Sequence, residues 1–249
     1  MESNEWRTLF QASLTRDPMV TKALTYRRFW DSSCRPIHVS CDDGNDYVVK
    51  GAQVGRSAFN DQVVGRIASS LGAPVAEVGL VEVSPELIAI NPDMVHVAPG
   101  LAHGSRFVSD CTGCQWFRYV EQPENRPRFA LLSVLYGWMI GAEKQFYYAN
   151  HPPHLVYSFD HDAFFPQGPQ WSVADLAAAR FPDVDEIIVD QCGLRRTELN
   201  AACRYLDRIT PEIIASAIAV VPESWGGVGE EDRTALAQYL WDRCETMRS

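Results

Sequence analysis

One segment constrains this chain more than any other. From Phe129 to Ile140 it reads Phe-Ala-Leu-Leu-Ser-Val-Leu-Tyr-Gly-Trp-Met-Ile, apolar around the whole circumference of a helix. A helix without a polar face must be covered on every side, so the remaining elements have to pack around it. The apolar run ends at Ala142, short of the ~20 residues that cross a bilayer, so a buried protein helix is expected and no membrane partner. With 249 residues, 46% of them hydrophobic, the chain has enough apolar surface to build that cover without staples.

The two flanks carry different patterns. Trp6 to Leu14 is amphipathic, and Asp17-Pro18 interrupts it. A polar stretch containing Arg27-Arg28 follows. Ile37 to Cys41 and Tyr47 to Lys50 then flank the cluster Asp42-Asp43-Gly44-Asn45-Asp46, the pattern of a β-hairpin. The cluster lacks EF-hand spacing and the closing Glu, so it reads as a turn rather than a calcium loop. Between Ser57 and Leu71, residues Phe59, Val63, Val64, Ile67, Ala68 and Leu71 form a helical stripe, with Ser57 as N-cap and Gly72 and Pro74 as the stop. Val78–Val83 and Leu87–Ile90 read as strands, Asn91 to Pro127 as loop, and His154–Phe159 as a strand ending at Asp160-His161-Asp162.

Beyond that point the signals are helical. Ser172 to Asp175 is a capping-box variant, Thr210-Pro211 a strong helix start, and Leu236, Tyr239, Leu240 and Cys244 share one face of a last helix. The expected class is α+β, with a mixed β/α N-lobe over 1–125 and a mainly helical C-lobe over 126–249.

A net charge of −10 repels phosphate backbones and argues against a general nucleic-acid binder. The acidic start Met1-Glu2-Ser3-Asn4-Glu5 lacks an apolar signal region, and seven cysteines make an odd set. Both features lead to the expectation of a soluble cytoplasmic protein with reduced thiols.

Lys22, Lys50 and Lys144 are the only lysines in a chain that otherwise draws its positive charge from Arg. Lys50 ends an apolar strand, where a solvated side chain and a phosphate ligand are both open readings. The order that follows favours the second. Asp61 lies on the next helix, Glu143-Lys144-Gln145 follow the buried helix, and Asp160 ends a strand. Phosphoryl transfer uses this layout: a Lys neutralises phosphate, one carboxylate orients the attacking hydroxyl, and another holds Mg²⁺.

Several blocks in order resemble the HipA-like kinase domain family of bacteria. They include Ser33-Cys34-Arg35-Pro36, Tyr47-Val48-Val49-Lys50-Gly51, Leu71-Gly72-Ala73-Pro74, Gly100-Leu101-Ala102-His103-Gly104-Ser105 and Asp160-His161-Asp162-Ala163-Phe164-Phe165-Pro166. The likeness runs over residues 27–175. It implies a two-lobed protein-kinase-like fold that uses ATP and Mg²⁺. Lys50, Asp61 and Ser33 fall to the nucleotide, Glu143 and Gln145 to catalysis, and Asp160 to the metal, with Asn150 as a second metal-ligand candidate. The phosphoryl acceptor or protein partner is not readable.

Departures from the family pattern keep a second class open. Asp31-Ser32 stands where the family carries a Gly-Gly pair, Asp61 where it carries Glu, and Glu143-Lys144 where it carries Asp-His. A pseudokinase that binds nucleotide or a partner with little turnover is the alternative. A third reading draws zinc between the two cysteines of Cys111-Thr112-Gly113-Cys114 and the two histidines His96 and His103, although a lone C-x-x-C without standard spacing fits ordinary loop thiols. His161 could orient Asp160 or be structural; Phe164, Phe165 and Trp171 read as packing.

Overall fold

A computed structural model describes residues 1–14 and 19–248. The Asp17-Pro18 interruption lies outside the described residues. Strands β1 (Val20–Phe29), β2 (Ile37–Cys41), β3 (Asp46–Lys50), β4 (Val78–Val83) and β5 (Gly100–Arg106) close into a barrel in the order β1-β2-β3-β5-β4. All neighbours are antiparallel except β1 and β4. The β2–β3 hairpin forms as expected, and Asp43 accepts a hydrogen bond from the Asn45 backbone within its turn.

Helix α1 is Ser3–Leu14 and α2 is Arg56–Leu71. The α2 helix starts at Gly55 rather than Ser57: Gly55 adopts φ +59° and ψ −126°, which side-chain-bearing residues avoid, and no side chain caps the end. Gly72 closes it in the left-handed conformation expected of a helix stop. The run Leu87–Ile90 is not a strand. Pro85–Ala89 forms the short helix α3, because Ser84 Oγ accepts from the Leu87 backbone and Pro85 takes the first turn. In the stretch expected to be loop, β5 and β6 (Cys111–Cys114) form. The β5 residues are poor strand formers individually, and pairing with β3 on one side and β4 on the other holds them.

Helix α4 (Asn125–Met139) is the fully apolar segment, and each residue from Phe129 to Met139 is buried. Around it lie α5 (Val173–Ala177), α6 (Glu186–Cys192), α7 (Arg196–Cys203), α8 (Pro211–Ala219) and α9 (Glu230–Arg248). A three-stranded sheet pairs β6 with β7 (Phe146–Ala149) and β7 with β8 (Val156–Ser158). The expected capping box at Ser172 and the Thr210 cap with Pro211 are both present.

Apolar packing divides into two clusters. One fills the barrel around Ile37, Val39, Val49, Val81 and Ala102; the larger surrounds α2 and α4. The first helix of the chain belongs with the second cluster, since α1 packs on α8 and α9 and Trp6 donates its indole N–H to Gln238. Chain order and spatial order therefore differ at the N-terminus. Buried Arg243 donates to the carbonyls of Gly137, Trp138 and Arg180, so the last turn of α4 is satisfied by a side chain of α9. Among the described residues no helix is long and apolar enough to cross a membrane.

Candidate functional site

Lys50, at the end of β3, has its ammonium buried against three carboxylates. Nζ lies 2.7 Å from Asp61, 2.5 Å from Asp160 and 3.2 Å from Asp162. Strand β3 carries Lys50 to the barrel's lower end, and α2 packs beneath with Asp61 facing it. Asp160 follows β8 and adopts φ +59°. That left-handed residue ends the strand and turns the 160 and 162 carboxylates onto one ammonium. Asp61 uses both oxygens, one on Lys50 and the other accepting the His161 backbone N–H at 2.6 Å.

Burial alone would push the Lys50 pKa down; the three carboxylates overcome it and raise the pKa well above the usual lysine value. Burial raises Asp61 and Asp162 against the pull of Lys50, whereas at Asp160 the charge and hydrogen bond of Lys50 outweigh burial and lower it. His161 is neutral: burial pushes its pKa down to about 4, and its ring pairs with Ser158, which in turn meets Tyr136. His103, across from Lys50 on β5, is pushed by burial down to about 3. With its amide turned to satisfy its neighbours, Gln62 donates to His103 Nδ1 at 2.8 Å.

Next to this cluster a cavity of about 240 Å³ opens between the barrel and the helical part. Val48 and Val78 line it from the barrel; Tyr147 and Phe159, stacked at 3.7 Å, line it from the other side, with Lys50 and Asp160 on its wall. Ser33 sits in the exposed turn between β1 and β2, bordering a second cavity of about 540 Å³ with Glu143 and Asp162. Its neighbour Cys34 donates Sγ–H to Asp162 at 3.3 Å.

Gln145 and Glu143 join the cluster in series. Gln145 Nε2 donates to Asp160 at 3.0 Å and to Glu143 at 3.2 Å. Glu143 is exposed. Lys144 points the other way, into a buried ion pair with Asp185 at 2.8 Å. Asn150 is not with the acids. It follows the far end of β7 from Gln145, roughly 16 Å away at strand rise, and its amide is held by Asp110 and Thr112. The structure thus brings together Lys50, Asp61, Asp160, Gln145 and Glu143, with Ser33 at the rim, and leaves Asn150 outside.

Asp162 was not singled out from sequence, though the Asp-x-Asp spacing was a usable signal. Among the described residues, Asp61, Asp160 and Asp162 are the one set of three or more acids, histidines or cysteines gathered closely enough for a cation, with oxygens within 4.8 Å of one another. Hard carboxylate oxygens suit Mg²⁺, and three carboxylates against one ammonium leave a formal surplus of about two negative charges. The donor set therefore fits a divalent cation. The zinc arrangement does not form: Cys111 and Cys114 are three apart on a strand and face opposite ways, His96 contacts the Arg35 carbonyl, and His103 is buried between β5 and α2, against Gln62.

The sequence profile of HipA-like kinases matches residues 24–134. No curated protein matches the chain in sequence. Among solved structures the chain is similar to the Helicobacter pylori proinflammatory kinase CtkA, with a TM-score of 0.62 and 12% identity, covering 93% of this chain and 97% of that one. Weaker likenesses are to the Golgi casein kinase with Mn/ADP bound (TM-score 0.46, 9% identity, 100% of this chain and 76% of that one). Another is to HipA of Shewanella oneidensis MR-1 with HipB and operator DNA (TM-score 0.41, 14% identity, 98% and 70%). The match to CtkA shows a protein-kinase-like α+β fold. Residues 24–134, which hold both Lys50 and Asp61, are similar to the HipA-like kinase family.

Proposed function

We propose that this chain is an ATP- and Mg²⁺-dependent phosphotransferase. One observation carries the reading: a buried ammonium within 3.2 Å of three carboxylates, beside a cavity between barrel and helices. Lys50 neutralises phosphate oxygens, and Asp61, with both oxygens committed, orients it. Asp160 and Asp162 would hold Mg²⁺, which would supply positive charge against the transferred phosphoryl group. Val48, Val78 and the Tyr147–Phe159 pair, which line the cavity, would enclose the base, and Ser33, beside Asp162 at the second cavity, would meet the phosphates. Gln145 fixes the Asp160 carboxylate. Glu143 accepts the proton of the acceptor hydroxyl as that oxygen bonds to the γ-phosphorus. The bond to the bridging oxygen then breaks and ADP leaves.

A nucleotide-binding module with little turnover is the second reading, favoured by the exposure of Glu143 to competing water. Calorimetry and ADP release separate the two. Asp160→Asn should remove the Mg²⁺-dependent part of ATP binding. Glu143→Ala should leave that binding intact and slow transfer to a hydroxyl acceptor by about 10²–10⁴-fold. Equal rates in wild type and Glu143→Ala reject Glu143 as the base and favour the binding module; unchanged affinity in Asp160→Asn rejects the site.

A further inference from the structure

The loop that carries Asp160 and Asp162 runs on from β8 without helix or strand and passes through two left-handed residues, Asp160 at φ +59° and Phe165 at φ +72°. That backbone conformation is uncommon for residues with a side chain, so contacts must hold it. Helix α2 supplies them from two successive positions. Asp61 accepts the His161 N–H at 2.6 Å, and Asn60 donates from Nδ2 to the carbonyl of Asp162 at 2.8 Å and to that of Phe164 at 3.2 Å.

The orientation of the Asn60 amide is fixed. The side chain is fully buried, and the indole N–H of Trp171, which can only donate, lies 3.0 Å from Oδ1. The oxygen must accept there, which turns the amide N–H groups toward the loop carbonyls. Trp171 is clamped in turn: its ring is buried 4.5 Å from the Arg56 guanidinium, and its carbonyl accepts from Arg56 Nη1 at 2.5 Å. Arg56 also pairs with Asp232 of α9 at 3.2 Å. A line of contacts therefore runs from the last helix through Arg56, Trp171 and Asn60 to the backbone of Asp162. Neither Asn60 nor Trp171 lines the nucleotide cavity or the cavity beside Ser33.

We infer that Asn60 is a positioning residue for the cation site: by holding the Asp162 carbonyl it keeps the Asp162 carboxylate beside that of Asp160, and Trp171 keeps Asn60 in the donating orientation. The inference rests on the reading of Asp160 and Asp162 as the residues that would hold Mg²⁺. Carboxylates of Asp61, Asp160 and Asp162 with oxygens within 4.8 Å of one another repel, and each needs a restraint. Asp61 has the His161 N–H and Asp160 has the Gln145 amide. Besides Lys50, the Asp162 carboxylate has only the Cys34 thiol, a weak donor, and it borders an open cavity of about 540 Å³ into which it could turn. Its place among the acids therefore depends on its backbone, which Asn60 holds.

The test titrates the full chain with Mn²⁺, read by loss of the free-ion paramagnetic resonance signal, alone and with ATP. Wild type should bind Mn²⁺. Asn60→Leu should weaken that binding about 10–100-fold, the usual cost of removing a group that orients a metal ligand. Trp171→Phe keeps a ring and loses the indole N–H, so it should weaken Mn²⁺ binding by a smaller factor in the same direction; it decides the matter where Asn60→Leu does not fold. ATP binding measured without metal should change far less in both. Gly137→Ala, a destabilising change on α4 away from the acids, is the control and should bind Mn²⁺ as wild type does. Weaker Mn²⁺ binding in the two variants alone, even without phosphate transfer by wild type, supports the inference while removing the phosphotransferase reading. Equal binding by wild type and both variants overturns the inference and leaves the metal reading standing. A loss shared with Gly137→Ala overturns it as a stability effect, and a wild type that binds no Mn²⁺ overturns it together with the metal reading.

Discussion

Replacing Lys50 by Met should destabilise the fold through the carboxylates it leaves behind. At an effective dielectric of about 20, one contact at 2.7 Å such as Lys50–Asp61 is worth roughly 6 kcal/mol before desolvation. Repulsion between two carboxylates within 4.8 Å is at least roughly 3 kcal/mol on the same scale. With Lys50 gone the repulsion stays and the attraction goes. Protonation limits the damage, since a proton on a carboxyl of ordinary pKa near 3.8 costs about 4 kcal/mol at neutral pH. The net loss should therefore be about 3–5 kcal/mol, the range for a buried ion pair deprived of one partner. Urea unfolding at neutral pH measures it. Lys50→Met/Asp61→Asn should recover a large part, because the most deeply buried carboxylate is then neutral. Excess Mg²⁺ should stabilise Lys50→Met more than wild type by occupying the bared oxygens. A Lys50→Met protein within about 1 kcal/mol of wild type, or a double variant no better than the single, would falsify the picture of an electrostatically committed cluster.

Two further perturbations test the scaffold. His103 is buried neutral with its pKa near 3, so between its unfolded pKa and that value the unfolded chain binds a proton that the folded chain refuses. Stability must fall as pH falls through this window. Going from about pH 7 to about pH 5, wild type should lose about 2 kcal/mol more than His103→Gln, and parallel pH curves in denaturant melts would contradict it. Gly137 lies where a Cβ would come 1.9 Å from the Asp183 carbonyl oxygen, a backbone atom that cannot swing aside. Gly137→Ala should cost about 3 kcal/mol or more in urea unfolding, while Gly79→Ala, whose Cβ meets nothing within 4 Å, serves as the near-neutral control.

What could be read without coordinates followed local physics. The β2–β3 hairpin, the α2 stop at Gly72 and the buried α4 each rest on a pattern contained within their own residues. The acids Asp61 and Asp160 are legible from their order along the chain after Lys50, and both meet its ammonium. The unread parts depend on partners far away in sequence. Strand β5 exists because β3 and β4 pair with it, and the polar β1 because β2 and β4 do. The short apolar run at Leu87–Ile90 could have been either element, and the Ser84-Pro85 start decided for helix. Asn150 was drawn toward the metal by residue type alone. Sequence distance from Gln145 is small, but an intervening strand turns five residues into a long separation.

The substitution at 143–144 looks different once Lys144 is placed. Read as a pattern, Glu-Lys in place of Asp-His is a lost motif. In the fold, Lys144 spans from the Gly141 carbonyl to Asp185, and its ammonium lies over the Tyr136 ring. Asp185 in turn caps α6 and takes a backbone bond to Ser133 on α4. The lysine therefore fastens its loop to two helices. Because Lys144 faces inward, Glu143 is left exposed and Gln145 is free to bridge it to Asp160. Glutamate supplies the extra methylene that this geometry uses: shortening it by roughly 1.5 Å withdraws the carboxylate from the 3.2 Å contact with Gln145. The two substitutions form one local solution, in which position 144 anchors the loop and position 143 borders two cavities, one with Ser33 and Asp162 and one with Trp116 and Ile187.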